Sequence, residues 1–388
     1  MSLTMLMGNG FDMAIGLNVG CKDYLKIYKT YVYGSSSDDI IKKFVSEILD
    51  ADDWANWSDL EEGLGRLSTK FDDGHSTPQE QAEHFIMCAT HLYNHLNTYL
   101  SQLNEIFALN SVLDDAKLKD FINSISLFHE HIMDDNIAQL LKAELVRPQV
   151  NFLQLSYTPF LDKLIEKSIE LMESDQFSAS PHYGDITPFR VGEYLHIHGQ
   201  ATPLSTPVMG VDHPEQILNE HIKNNPNVQN TFIKKNHLDM LKRFRRLPGT
   251  QNDQILNIID ESSVICIFGS SIGASDTTLW RRIGEWLNGT GKRLVIFGKS
   301  KTAVPGEPPI NAALLLGQIE QEKEETIQRF IKYADISPLV IQLNPDKITV
   351  ELEHKLFDFV LTGNRTNETQ PATQDTDLDM NNGTESST

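Results

Sequence analysis

The sequence predicts an α/β fold built on a parallel, Rossmann-like sheet, and three observations carry that prediction. Several short runs, Leu3–Met7, Val150–Leu155, Ser263–Phe268 and Arg293–Phe297, are mostly apolar instead of alternating, as strands covered on both faces are. Glycine bounds most of them, in Gly8-Asn9-Gly10, in Gly269-Ser270-Ser271-Ile272-Gly273 and at Gly298. Between them lie stretches whose apolar residues recur at helical spacing, the alternation that a layered α/β domain requires.

Taken in order, Leu3–Met7 is the first strand, Gly8-Asn9-Gly10-Phe11-Asp12 a tight turn, and a helix follows from about Met13. Residues 23–49 read as helix, with Tyr24, Ile27, Tyr28 and Tyr31 on one side. Ser58-Asp59-Leu60-Glu61 has the spacing of a capping box, so Glu61 is expected as a helix cap in preference to a catalytic carboxylate. Residues 70–147 are expected to form a helical insertion beside the sheet, with Phe85, Cys88, Leu92, Leu96 and Leu100 at helical spacing. His84, His91 and His95 fall there as packing or surface residues, because no third metal ligand accompanies them.

The second strand, Val150–Leu155, turns at Ser156-Tyr157-Thr158-Pro159 into a helix over Phe160–Met172. Another strand, Tyr194–His198, stops at Gly199, and Val208–Asp212 precedes a helical stretch. Its 234–246 part holds Lys234, Lys235, Lys242, Arg243, Arg245 and Arg246, which read as a solvated face. The strand Ser263–Phe268 leads to a helix near Ser275-Asp276, the strand Arg293–Phe297 to a helix around 310–334, and Leu339–Leu343 is expected as the last strand. One α/β domain over 1–362 accounts for all of this. Residues 363–388 are polar, cannot offset their ordering entropy, and are expected to be a disordered tail.

Composition narrows the function. The chain has 388 residues, of which 40% are hydrophobic, and a formal net charge of −21. That charge repels polyanions, so a broad nucleic-acid or membrane surface is not expected. Cys21, Cys88 and Cys266 are odd in number and lack metal-ligand spacing, which suits reduced, buried thiols and a cytoplasmic protein.

In an open parallel sheet, ligands bind beyond the carboxyl ends of the strands. Four loops leave such ends: Gly8–Asp12, Ser156–Pro159, His198–Gln200 and Gly269–Asp276. Their convergence is the functional signal, with His198 as the side chain suited to accept a proton near neutral pH. His196, two residues earlier, is read as facing the same side and as held by a backbone carbonyl; no metal is expected. Neither Gly291-Lys292 nor Gly298-Lys299 belongs to a Walker loop, and no Gly-x-Ser-x-Gly elbow exists, against P-loop and acyl-hydrolase chemistry.

These pieces together resemble the bacteriophage abortive-infection AbiH family. The resemblance rests on Gly8-Asn9-Gly10-Phe11-Asp12, Trp57-Ser58-Asp59-Leu60-Glu61, Tyr157-Thr158, His196-Ile197-His198-Gly199, Gly210-Val211-Asp212 and Gly269-Ser270-Ser271 with Ser275-Asp276, over roughly residues 3–300. That family is similar in turn to the sirtuin-like fold that binds NAD. The resemblance implies an anti-phage protein whose glycine loop, Gly8 to Phe11, approaches the pyrophosphate and whose His198 is catalytic. It implies Gly269, Ser270 and Ser271 near the adenosine ribose, with Tyr157 and Asp276 also at the nucleotide and Asp12 at a ribose hydroxyl or bracing the loop. Ser156, the second catalytic candidate, stands where the family usually carries asparagine beside the nicotinamide ribose. The paired-cysteine zinc module of sirtuin deacylases is absent, leaving NAD hydrolysis or binding. A non-catalytic nucleotide sensor is the alternative, with a phage-derived trigger or a defence-system protein as partner and homo-oligomers possible. A nucleic-acid or phosphate-processing enzyme using 234–246 is a third.

Overall fold

The computed structural model describes residues 1–36, 38–50, 57–110, 113–174, 189–201, 208–234, 251–300, 312–352 and 354–359. Six strands, β1 (Ser2–Met7), β2 (Gln149–Gln154), β3 (Arg190–His196), β4 (Val264–Phe268), β5 (Arg293–Phe297) and β6 (Ile348–Glu351), form one sheet in the order β3-β2-β1-β4-β5-β6. Every pairing is parallel. This is the order of doubly wound dinucleotide-binding folds, and its switch point lies between β1 and β4.

Both faces are covered, as the continuous apolar runs require. Leu3, Met5 and Met7 of β1 point into one core with Phe152, Val264, Cys266, Phe268, Val295 and Phe297. Leu6 points the other way and joins Leu153, Ile265, Ile267, Leu294 and Ile296 in a second core. The first is closed by α1 (Asn9–Ala14), α2 (Cys21–Ser35), α3 (Asp39–Asp50), α4 (Trp57–Leu67), α5 (Pro78–Asn110), α6 (Asp115–Ser126), α7 (Asp135–Glu144) and α8 (Phe160–Met172). The chain continues through α9 (Glu220–Lys223) and α10 (Pro226–Phe232). The second core is closed by α11 (Gln251–Glu261), α12 (Thr277–Leu287) and α13 (Ala312–Ala334), with Trp280 and Phe330 fully buried in it.

Several expectations need correction. The first helix begins at Asn9, inside the glycine turn, because the backbone curls into a helix directly after Gly8. Residues 23–49 form two helices, α2 and α3, separated by an extended Ser36. β3 ends at His196, which leaves His198 in a loop. Leu339–Leu343 is not a strand: Pro338 at the first helical turn sets up α14 (Pro338–Leu343), and β6 follows it at Ile348. Of the basic stretch 234–246 only Lys234 lies within the described residues, and the polar tail 363–388 lies outside them. Among the described residues no helix is long and apolar enough to cross a membrane.

Candidate functional site

The loops leaving β1 and β4 meet at the switch point with no side chain between them. Gly8 N donates to Phe268 O and Gly10 N to Gly269 O, both at 2.8 Å. A Cβ on Gly10 would lie 2.5 Å from the Cα of Gly269, and one on Gly8 would lie 2.5 Å from its carbonyl oxygen. Gly269 itself has φ of +65°, so three glycines serve this one close approach. Three residues on, Ile272 holds φ at +50°, rare for a β-branched residue, and is kept there by burial in the second core. Trp280 Nε1 ties the same loop down by donating to Gly273 O at 2.9 Å.

Above this junction opens a pocket of about 360 Å³, within the size range of small-molecule sites. Gly8, Asn9, Gly10, Tyr157, His198, Gly269, Ser270, Ser271 and Asp276 line it, so residues from all four predicted loops do share one cavity. Phe11, Asp12 and Ser156 do not. Phe11 is fully buried against Phe121, Phe268 and Phe357. Asp12, also fully buried, accepts from Thr158 Oγ1 at 2.7 Å and so braces α1 against the turn after β2. Burial pushes its carboxyl up to about 7, against the opposing pull of Thr158, Ser156 and His196. Ser156 is buried near Asp12 and does not line the pocket.

His196 and His198 part company at the end of β3. His196 Nε2 meets Asp162 Oδ2 at 3.0 Å and its Nδ1 meets Ser156 O at 3.2 Å, while Gln154 and Gln200 contact the same Asp162 carboxylate. His198 instead reaches the pocket wall, with Nε2 2.8 Å from Asp276 Oδ1 and its ring beside that of Tyr157. Asp276 stands at the N-cap position of α12 but makes no side-chain cap hydrogen bond there. Asp212 supplies the cap of α12, accepting from Thr278 N at 2.7 Å, so Asp276 is left to His198.

Below Asp276 lies a cation. Lys234 Nζ is 3.0 Å from Asp276 Oδ1 and 2.8 Å from Glu61 Oε2, and it also donates to Ser275 O. Its side chain is 3% exposed, which overturns the reading of this residue as part of a solvated face. Burial works against the charge on Asp276, but Lys234 and His198 outweigh it and hold that carboxyl well below the usual carboxylate range. Burial likewise opposes the ammonium of Lys234, yet Asp276, Glu61 and Asp212 raise it above the ordinary lysine value. Asp212 is driven up to about 6 by burial and the nearby Asp276.

Glu61 is therefore no cap. It lies within α4, lines the pocket, and accepts from Lys234, from Tyr157 Oη and from Gly210 N. Gly210 has φ of +141° and runs against Phe232, while Val211 bridges Ile233; these contacts deliver Asp212 and Lys234 side by side. The sequence carried a signal for Glu61 and Asp212, since both stand in motifs of the family resemblance. For Lys234 it carried none. Cys21, Trp57 and Ser58 also line the cavity. Burial with Asp59 and Glu61 nearby keeps the Cys21 thiol protonated, so it is no nucleophile. Among the described residues no group of three or more His, Cys, Asp or Glu side chains is arranged to hold a metal ion.

A doubly wound α/β protein is thus defined, with a small-molecule-sized pocket at its switch point, His198, Asp276 and Glu61 in the pocket wall, and Lys234 buried behind the two carboxylates. A family model of bacteriophage abortive infection AbiH matches residues 4–297, and the chain belongs to that family. Membership places it among phage abortive-infection defence proteins. No curated protein matches the chain.

Proposed function

We propose that the pocket binds NAD and that the protein hydrolyses its nicotinamide–ribose bond as the chemistry of abortive infection. The observation that carries this reading is the His198–Asp276 pair in the wall of a cavity rimmed by the Gly8–Gly10 and Gly269–Ser271 loops. Glycine backbone at the rim lets a pyrophosphate and ribose approach closely. At the reacting end, water adds to the anomeric carbon, nicotinamide leaves with the bonding pair as a neutral amide, and the proton of water passes to His198. The carboxylates of Asp276 and Glu61 favour the positive charge that develops on the ribose ring. The products are ADP-ribose, nicotinamide and a proton.

Incubating the purified chain with NAD and following nicotinamide release tests this. Wild type is expected to release nicotinamide, and His198→Ala to lose roughly 100- to 10,000-fold of the rate, the range of a general base. Full activity in His198→Ala overturns the assignment. A second reading, a nucleotide-binding sensor without catalysis, is favoured by Ser156, which is buried and does not line the pocket. NAD binding without release from wild type selects it. Because Lys234 is buried, it is not available to a nucleic-acid surface.

A further inference from the structure

We propose that Lys234 is a positioning residue for His198, acting through Asp276. It rests on the reading of His198 as the group that acts on the ligand. The Asp276 carboxylate has two neighbours on one oxygen: His198 Nε2 at 2.8 Å and Lys234 Nζ at 3.0 Å. An ionised Asp276 accepts the Nε2 proton of a neutral imidazole, which fixes the tautomer and leaves Nδ1 as the basic nitrogen. Keeping that carboxylate ionised inside the protein requires a counter-charge, and Lys234 is the one lysine or arginine in contact with it among the described residues. Glu61 grips the other side of the ammonium, so Lys234 is aimed from α4 and from the Val211–Ile233 bridge at once.

The wiring sets a sign. The groups facing His198 are Asp276 before α12, Tyr157 after β2, Asp212 and Lys234 from the bridged 210–234 segment, and Glu61 behind Lys234 on α4. Removing the ammonium leaves Asp276 free to favour a protonated imidazole. Removing the Glu61 charge does the reverse, because Lys234 then turns wholly to Asp276.

The experiment uses the full-length chain as wild type, Lys234→Met, Glu61→Gln and His198→Gln. NAD hydrolysis is followed against pH, and the His198 ring is titrated by NMR, with its signal identified by its loss in His198→Gln. Lys234→Met is expected to lower kcat about 100-fold with KM nearly unchanged, as a misaimed catalytic group does. Its acid limb and ring titration move up by about one pH unit, and those of Glu61→Gln move down by about as much. Opposite shifts support positioning; shifts in one direction, or none, overturn it and leave Lys234 as a structural ion. If Lys234→Met does not fold, Glu61→Gln decides alone: a downward shift supports the proposal and an unmoved titration overturns it. A wild-type chain that releases no nicotinamide defeats the hydrolysis reading, while the ring titration still decides the wiring.

Discussion

At the scale of single residues, burial decides what each polar group can do. Asp12 is the sharpest case. Its ordinary carboxyl value is 3.8, and the fold raises it to about 7. Between those values the folded chain holds a proton that the unfolded chain has released, so stability falls as pH rises through this window and levels off above it. The loss is on the order of a few kcal/mol. Thermal unfolding of wild type from pH 4 to pH 8 is expected to show the fall, and Asp12→Asn, which can still accept from Thr158, to flatten it. Sequence alone placed Asp12 beside the glycine loop but not beneath it, because helix α1 starts too early for its side chain to face the ligand. That Gly8, Gly10 and His198 come to one cavity was legible, since a parallel sheet sends the loops after its strands to one side. Lys234 was not, because a lysine ahead of other basic residues looks like any solvated one.

At the scale of elements, strand and helix positions followed from apolar periodicity, and the errors cluster where local rules met tertiary contacts. Leu339–Leu343 has strand composition but follows a proline that starts a helix. The Ser58–Glu61 spacing matches a capping box, yet α4 begins at Trp57, and the two side chains turn to Ser275 and Lys234 instead. How α4 is fastened to the site makes a test. Gly273 runs so close to Ser58 that a Cβ there would lie 1.7 Å from Ser58 Oγ, and Ser275 Oγ donates to the same hydroxyl at 3.0 Å. Gly273→Ala is expected to destabilise the protein by about 1–3 kcal/mol, as overpacking does. Adding Ser58→Gly should recover part of that loss. The coupling, on the order of 1 kcal/mol or more in a double-mutant cycle of denaturant unfolding, is the readout.

At the scale of the whole molecule, the ligand edge of the sheet was foreseeable from strand ends alone, because a parallel sheet sends all its carboxyl ends to one side. The order of the strands was not, and that order is what brings residues 8 and 269 together. If the pocket takes NAD, a concentration of about a hundredfold the Kd should add about 2.7 kcal/mol to unfolding of wild type. Calorimetry with and without the dinucleotide checks this, and an unchanged transition counts against binding. The bare contact between Gly10 and Gly269 also bears on how such a protein can evolve. Neither partner has a side chain to shorten, so damage at one position has no compensating change at the other. A search for second-site suppressors of Gly10→Ala should therefore come back without any at Gly269.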